Sequence, residues 1–306
     1  MARSFEQIYA EAPKPAIGRL LAFRERYAPH YEEYGGKLYK TWDINEAQLP
    51  QGEERTIVFF PSAMGHGEIW FPYMLELRDK ARVIAFSLAD DEEPEALAAA
   101  FLQILSNIGV DKMMIAANSV GGLLAQIMAA KEPDRVVALA LMMTGCPAED
   151  LDFATKQNWE RRRKLKRRLR FQSYSPGHRL GMASSIFEAT CPEQYKDSAT
   201  FWMGYIEETF ADAVYKAQHV AINADLVPNI YAKYEFTAED FTRDMPVLIM
   251  ESQSDNLYSA KERACLKDVF PQARVEEMGD AGQFALQLHE QRATEILADF
   301  VKGVFV

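Results

Sequence analysis

A serine in a strand–turn–helix segment is the residue of this sequence with the clearest potential for nucleophilic chemistry. Residues 113–130 read MMIAANSVGGLLAQIMAA, which predicts a buried strand, a sharp turn with Ser119 at its apex, and a helix. Such a turn needs small residues two before and two after the serine, because it brings two backbones together. Ala117 and Gly121 meet that need, although glycine is usual at the first position. The alternative is a serine that only caps the helix.

Backbone N–H groups near this serine predict an oxyanion-binding site. The Val120 N–H follows the serine directly, and a second N–H is expected from the loop after an earlier strand. That loop reads PSAMGHG over residues 61–67, so Ser62 and Ala63 are candidates, and Asn118 beside the serine is another. The proline that begins the loop has no N–H and stiffens the turn. We therefore predict a partly formed oxyanion hole.

The acid and base that would complete a catalytic triad are expected after two late strands. Asp255, in ESQSDNLYS, is the candidate acid, or alternatively the cap of the following helix. After the last strand, EEMGDAGQFALQ has the pattern of a loop that presents a histidine, but the residue there is Gln283. An amide cannot take a proton from a serine hydroxyl near neutral pH. Loss of the base lowers turnover by about a millionfold in serine hydrolases.

Among the five histidines, His66 is the candidate replacement base, because its loop could overhang the serine. A loop histidine near a pocket is alternatively a ligand contact or simply solvated. His178 and His219 lie in a predicted helical insertion and could reach the serine only if that insertion closes. His289 is predicted on a following helix, turned to another face. His30 is expected to precede the sheet.

The elements that must position these residues are those of an α/β protein. Short apolar runs alternate with helical stretches, which indicates a mostly parallel sheet wrapped by helices. The predicted strands are Lys37 to Ile44, Thr56 to Phe60, Arg82 to Phe86, Met113 to Ala117, Val136 to Met143, Pro246 to Met250 and Arg274 to Glu277, and late helices are Ala260 to Val269 and Ala285 to Val301.

A long stretch without strand signals divides the predicted sheet. Residues 148–240 are predicted to form a helical cap, inserted between core residues 1–147 and 241–306. Such a cap would cover the carboxyl ends of the strands, where open α/β sheets bind ligands. Its aromatic residues, among them Trp159 and Trp202, predict an apolar lining for a small or acyl-type ligand.

The composition of the 306-residue chain is that of a globular protein, since 48% of its residues are hydrophobic. The net charge of −11 argues against a nucleic-acid partner, because phosphate backbones are bound by excess Lys and Arg. The three cysteines are scattered, without the spacing of a metal site. The N-terminus lacks the pattern of a signal peptide. We therefore expect a soluble cytoplasmic protein with no metal and no cofactor.

One strongly basic segment contrasts with this acidic chain. Residues 160–171 read ERRRKLKRRLRF and predict a basic helix. The segment Arg161 to Arg170 could dock an anionic partner, such as a membrane surface or an acidic carrier protein. The alternative is a solvated cap helix that pairs with the protein's own carboxylates.

Several segments together resemble the maspardin family, a non-catalytic branch of the α/β-hydrolase fold. They are the stretch with Phe23, Arg24 and Pro29 leading to Lys40 and Trp42, the loop FFPSAMG, the turn NSVGGLLAQ, the segment PVLIMESQSD around Asp255, and AGQF, where the family also carries an amide. The resemblance implies an α/β-hydrolase fold retained for binding after hydrolysis was lost. Ala117 and Asn118 differ from the family's Gly-Ala, so a separate branch is the alternative.

These features support three functional hypotheses. In the first, a degenerate triad of Ser119, Asp255 and Gln283 binds a small or acyl-type ligand without Ser-His-Asp hydrolysis. In the second, Ser119 works with a non-standard base such as His66 in an esterase, thioesterase, acyl-transfer or non-hydrolytic tailoring enzyme. In the third, the basic helix makes the chain an interaction protein.

Overall fold

Eight strands form one mostly parallel sheet in the computed structural model of the chain. The structure describes residues 3–49, 54–62, 65–87, 93–148, 195–211, 226–255 and 257–305. The predictions for Ala63, Trp159, His178, His219 and the segment Arg161 to Arg170 lie outside the described residues.

The strand order in the sheet is β1-β2-β4-β3-β5-β6-β7-β8, with β1–β2 and β2–β4 antiparallel and the other pairs parallel. The strands are β1 (His30–Tyr34), β2 (Lys37–Ile44), β3 (Thr56–Phe60), β4 (Arg82–Phe86), β5 (Met113–Asn118), β6 (Val136–Met142), β7 (Val247–Glu251) and β8 (Arg274–Glu277). All seven predicted strands are present, and the predicted α/β class is confirmed.

The first strand corrects one prediction, because His30 begins β1 and so belongs to the sheet. The strand HYEEY is polar and largely exposed, so it has no apolar alternation by which a half-buried strand is recognised. Gly35 and Gly36 join it to β2 with φ values of 59° and 76°. Glycine adopts this left-handed backbone without steric penalty, which permits the tight hairpin.

Helices flank the sheet on both faces. They are α1 (Phe5–Ile8), α2 (Lys14–Arg26), α3 (Phe71–Leu77), α4 (Pro94–Asn107), α5 (Val120–Lys131), α6 (Lys196–Ala211), α7 (Ala260–Val269), α8 (Ala285–Leu288) and α9 (Glu290–Val304), and residues 226–233 are also helical. The predicted helix Ala285 to Val301 is wrong as one element, because it breaks at His289, whose ψ of 36° is not helical. Within the described ranges, no helix has the length and apolar character needed to cross a membrane.

The buried strand β3 shows how the core is divided. Ile57 and Phe59 face an apolar cluster that α3, α6 and α9 complete, whereas Val58 and Phe60 face one completed by α4, α5 and α7. All four residues are fully buried. A strand covered on both faces reads as a continuous apolar run, which explains why the central strands could be predicted.

Candidate active site

Ser119 lies in a strained turn between β5 and α5. Its φ of 55° falls in the left-handed region that residues with side chains rarely adopt, and only 2% of its surface is exposed. A Cβ atom added to Gly121 would lie 2.6 Å from the carbonyl oxygen of Pro61 and 2.7 Å from that of Phe60. Only glycine fits at position 121, because these backbone oxygens cannot move aside as the end of a flexible side chain could. The local geometry is that of a nucleophile elbow.

The hydroxyl of Ser119 lies against the phenol of Tyr258, with 3.4 Å between the two oxygen atoms. Tyr258 is fully buried, and burial raises the pKa of its phenol well above the ordinary value. The phenol therefore stays protonated near neutral pH and cannot act as a base. The Thr144 hydroxyl stabilises the turn by donating a hydrogen bond to the Ser119 carbonyl oxygen at 2.7 Å.

Gly145 leaves the space that two tyrosines occupy. A Cβ atom at this position would lie 2.6 Å both from the Tyr231 hydroxyl oxygen and from Cδ1 of Tyr258. Tyr231, in the helical residues 226–233, donates to Glu262 Oε1 of α7 at 2.7 Å. No sequence motif predicted a role for these tyrosines or for Gly145, because their contacts join segments that are distant in the sequence.

The predicted acid and the residue at the predicted base position are in direct contact. Gln283 Nε2 donates to Asp255 Oδ2 at 2.5 Å and to the Met143 carbonyl oxygen at 3.3 Å. Asp255 Oδ1 accepts from the backbone N–H groups of Leu257 at 2.7 Å and Tyr258 at 3.3 Å. Burial raises the pKa of the Asp255 carboxyl above its ordinary value, and these hydrogen bonds oppose that effect.

Two serines hold the loop that carries Gln283. The Gly282 N–H donates to the Ser252 and Ser254 hydroxyl oxygens, each at 3.1 Å, and the Ser252 hydroxyl donates to the Gly279 carbonyl oxygen. Gly282 and Gly279 have φ values of 52° and 71°, which glycine adopts most readily. The loop after β8 is thereby fixed against the end of β7, so that Gln283 meets Asp255.

His66 is hydrogen bonded to α6 in this structure. Its Nδ1 atom lies 2.9 Å from the Tyr205 hydroxyl oxygen, and its ring packs edge-on against Trp42, with 5.5 Å between ring centroids. Within the described part of the chain, no histidine is hydrogen bonded to the Ser119 hydroxyl. The side chain of His66 therefore connects the loop after β3 to α6.

His289 lies at the junction of α8 and α9. Its ring packs against Tyr195, with 4.4 Å between ring centroids, and burial lowers the pKa of the imidazole. The buried Nε2 atom has no hydrogen-bond partner among the described residues. Among the residues that the structure describes, no three His, Cys, Asp or Glu side chains are grouped to hold a metal ion.

The N–H of Val120, the first residue of α5, has no hydrogen-bond acceptor within the described residues. This donor directly follows Ser119 and is available to a ligand oxygen. Two other predicted residues of this group make structural contacts: the Asn118 amide donates to the Met142 carbonyl oxygen at 3.0 Å, and the Ser62 carbonyl oxygen accepts from the Gly65 N–H at 2.8 Å.

Trp202 lies on α6, where only 2% of its surface is exposed. Its ring packs against Phe71 of α3 at 5.9 Å and against Tyr205 at 5.4 Å between ring centroids. Its role in lining a ligand pocket stays a prediction.

Arg24 connects α2 to α6 and to the short 3-10 helix Gly67–Trp70 that follows the loop after β3. It makes two hydrogen bonds to Glu68, at 3.0 and 2.8 Å, and two to Glu208, at 2.8 and 3.1 Å. Tyr9 donates to Glu208 at 2.7 Å. These contacts fix α6, and with it Tyr205 and its partner His66, relative to the core.

Residues 55–290 match the model of the alpha/beta hydrolase fold family, which is well over half of the chain. The chain belongs to this family. The predicted α/β-hydrolase fold is therefore confirmed, with its elbow after the fifth strand of the sheet. No curated protein matches the sequence.

Solved structures of the same fold include three bacterial enzymes. The enol-lactonase from Burkholderia xenovorans LB400 is 17% identical, with a TM-score of 0.69 over 89% of this chain and 100% of that one. A thermophilic esterase from Thermogutta terrifontis, with malate bound, is 17% identical, with a TM-score of 0.67 over 92% and 99%. A hydrolase from Pseudomonas aeruginosa PA01 is 13% identical, with a TM-score of 0.69 over 90% and 98%. These similarities establish the fold.

Proposed function

We propose that this protein binds a small or acyl-type ligand without ordinary Ser-His-Asp hydrolysis. The contact between Gln283 and Asp255 carries the proposal, because an amide makes the hydrogen bond to the acid that a catalytic histidine makes in active enzymes. Near neutral pH an amide neither takes a proton from serine nor delivers one to a leaving group. Ser119 then remains a neutral alcohol that orients a ligand.

The surroundings of Ser119 support the same function. Its hydrogen-bond partner among the described residues is the phenol of Tyr258, which stays protonated. His66, the candidate replacement base, is hydrogen bonded to Tyr205. Neither contact supplies a group that could take the serine proton.

A cytoplasmic binding protein of the maspardin type is the specific form of this proposal. The amide in AGQF and the proline-containing loop FFPSAMG are the sequence features that support it. The hydrogen bonds of the buried Asp255 carboxylate explain how the acid persists without a histidine, since a buried charge needs such partners.

An active enzyme is the second candidate, because two features of catalysis persist. Ser119 keeps its strained backbone, and the Val120 N–H has no acceptor among the described residues. Strained residues cluster at functional sites. In this case His66 would leave Tyr205 and serve as the base of an esterase, thioesterase, acyl-transfer or tailoring reaction.

Labelling with a fluorophosphonate probe separates the two candidates, because the probe reacts only with an activated hydroxyl. We expect wild-type protein to label no more than the Ser119→Ala variant does. Stoichiometric labelling of Ser119 would contradict the binding proposal. Loss of that labelling in His66→Asn would then identify the base.

The reverse substitution tests whether only the base is missing. We expect Gln283→His to label with the probe and to hydrolyse a short-chain nitrophenyl ester, since imidazole can bond to Asp255 and reach the serine. The matched control is Gln291→His, on the exposed surface of α9, which should stay inert. An inert Gln283→His protein would show that the oxyanion loop has also lost its catalytic geometry.

A further inference from the structure

The amide of Gln283 has a fixed orientation in the site. Its Nε2 atom faces two acceptors, the Asp255 carboxylate and the Met143 carbonyl oxygen, and both of its N–H groups are used. An amide oxygen at this place would face two other oxygens, so the nitrogen must point inward. No group among the described residues donates to Gln283 Oε1. The side chain therefore offers a ligand one group, a hydrogen-bond acceptor.

A hydrogen-bond acceptor on the residue at the histidine position has the opposite polarity to the group that a hydrolase presents there. In a Ser-His-Asp enzyme, the protonated histidine donates to the leaving-group atom bonded to the carbonyl carbon. Gln283 Oε1 can only accept. An ester presents an oxygen with lone pairs there, which an acceptor repels, whereas a secondary amide presents an N–H, which donates to it. The Val120 N–H remains a donor for the carbonyl oxygen of either compound.

We propose that Gln283 Oε1 faces the bound ligand, and that the site therefore selects secondary amides, the N-acyl compounds, over esters of the same shape. The inference rests on the proposed binding function, since it assigns Gln283 to ligand recognition and not to proton transfer. Replacement of a repulsive contact by a neutral hydrogen bond raises affinity by about tenfold.

Three probes of matched shape test this selectivity: N-hexylacetamide, hexyl acetate, and N-hexyl-N-methylacetamide, which keeps an amide carbonyl but has no N–H. Dissociation constants are measured by ligand-observed NMR titration of the full chain. We expect N-hexylacetamide to bind about tenfold more tightly than the other two. Equal affinities, a preference for the ester, or no binding of the secondary amide would overturn the proposal.

Substitution of the acceptor assigns the preference to Gln283. Gln283→Met removes the acceptor with little change of volume and should abolish the preference, whereas Gln291→Met, the same change on the exposed surface of α9, should retain it. Circular dichroism verifies folding. If Gln283→Met does not fold, Gln283→Lys provides the same test, because it keeps a donor toward Asp255 and has no acceptor. A preference that survives loss of the acceptor overturns the proposal.

Release of hexanol from hexyl acetate distinguishes the two proposals. Hydrolysis by wild-type protein that is absent in Ser119→Ala would contradict the binding function, and the amide selectivity with it. Equal binding of amide and ester without hydrolysis would contradict the selectivity alone.

Discussion

Gln283 Nε2 lies 2.5 Å from Asp255 Oδ2, so the amide that cannot act as a base is joined directly to the buried acid. The contact satisfies one carboxylate oxygen, and two backbone N–H groups satisfy the other. A buried carboxylate without such partners would be strongly destabilising. The site therefore keeps its polar network although the residue at the base position cannot transfer protons.

Asp255 makes the stability of the protein depend on pH. Folding raises the pKa of this buried carboxyl, so the folded state holds the proton to a higher pH than the unfolded chain does. Its contribution favours folding below the ordinary carboxyl pKa and declines as pH rises toward the raised pKa. Between the ordinary and the raised pKa, we expect the free energy of unfolding of wild type in urea to decrease with pH relative to that of Asp255→Asn. Above the raised pKa the difference should level off. A relative stability that increases with pH would contradict the prediction.

The strained backbone of Ser119 predicts a difference between two variants that both lack the hydroxyl. Ser119→Gly relieves the φ of 55°, whereas Ser119→Ala retains it, so the glycine variant should be more stable by about 1 kcal/mol. Ser106, exposed in α4, is the control, since alanine there should be more stable than glycine by about 0.5–1 kcal/mol. Urea unfolding of the glycine and alanine variants at both positions measures whether the stability difference between glycine and alanine changes sign. An alanine variant as stable as the glycine variant at position 119 would show that the turn is unstrained.

Gly145→Ala should destabilise the protein by about 1–3 kcal/mol, because its methyl group would overlap Tyr231 and Tyr258. Gly18→Ala, in the middle of α2, is the matched control, since among the described residues no atom beyond the adjoining backbone of its own helix lies within 4 Å of the added Cβ. That change should stabilise by about 0.5–1 kcal/mol, the helix-interior difference between the two residues. Thermal unfolding followed by circular dichroism measures both. Equal melting temperatures for the two variants would rule out the close packing described here.

Removal of the Arg24 side chain leaves two glutamates without their cation. Glu68 is buried, with 8% of its side chain exposed, so Arg24→Met should destabilise the fold by about 2 kcal/mol. Arg19→Met, on the same helix, breaks a pair whose arginine is 47% exposed and should change stability by less than about 1 kcal/mol. Chemical denaturation compares the two. Similar losses would show that the Arg24 contacts are no stronger than a surface ion pair.

Limited proteolysis of the Arg24→Met protein gives a second measurement. Because Arg24 and Tyr9 both bond to Glu208, we expect faster cleavage within α6 than in Arg19→Met. Unchanged cleavage would mean that apolar packing alone, such as that of Trp202 against Phe71, fixes this helix.

Local patterns in the sequence determined the sheet and the turn at its centre. Strands such as Thr56–Phe60 are covered on both faces and read as unbroken apolar runs, which short-range analysis detects. The small residues around Ser119 are required by the turn itself, so the elbow was also visible. The strand HYEEY was not predicted, because it is polar and its position depends on pairing with β2. The helix break at His289 was not predicted either, since the apolar pattern of the sequence continues through it.

Only the tertiary structure decided what each polar group of the site contacts. Asp255 and Gln283 were predicted as a pair from their places after two strands, but the direction of the amide follows from the carbonyl oxygen of Met143, the residue directly after β6. Tyr258 reaches Ser119 across 139 positions of sequence, through space that Gly145 leaves open. Such contacts depend on distances between remote segments, and these are fixed by packing of the whole core, not by the residues near the serine.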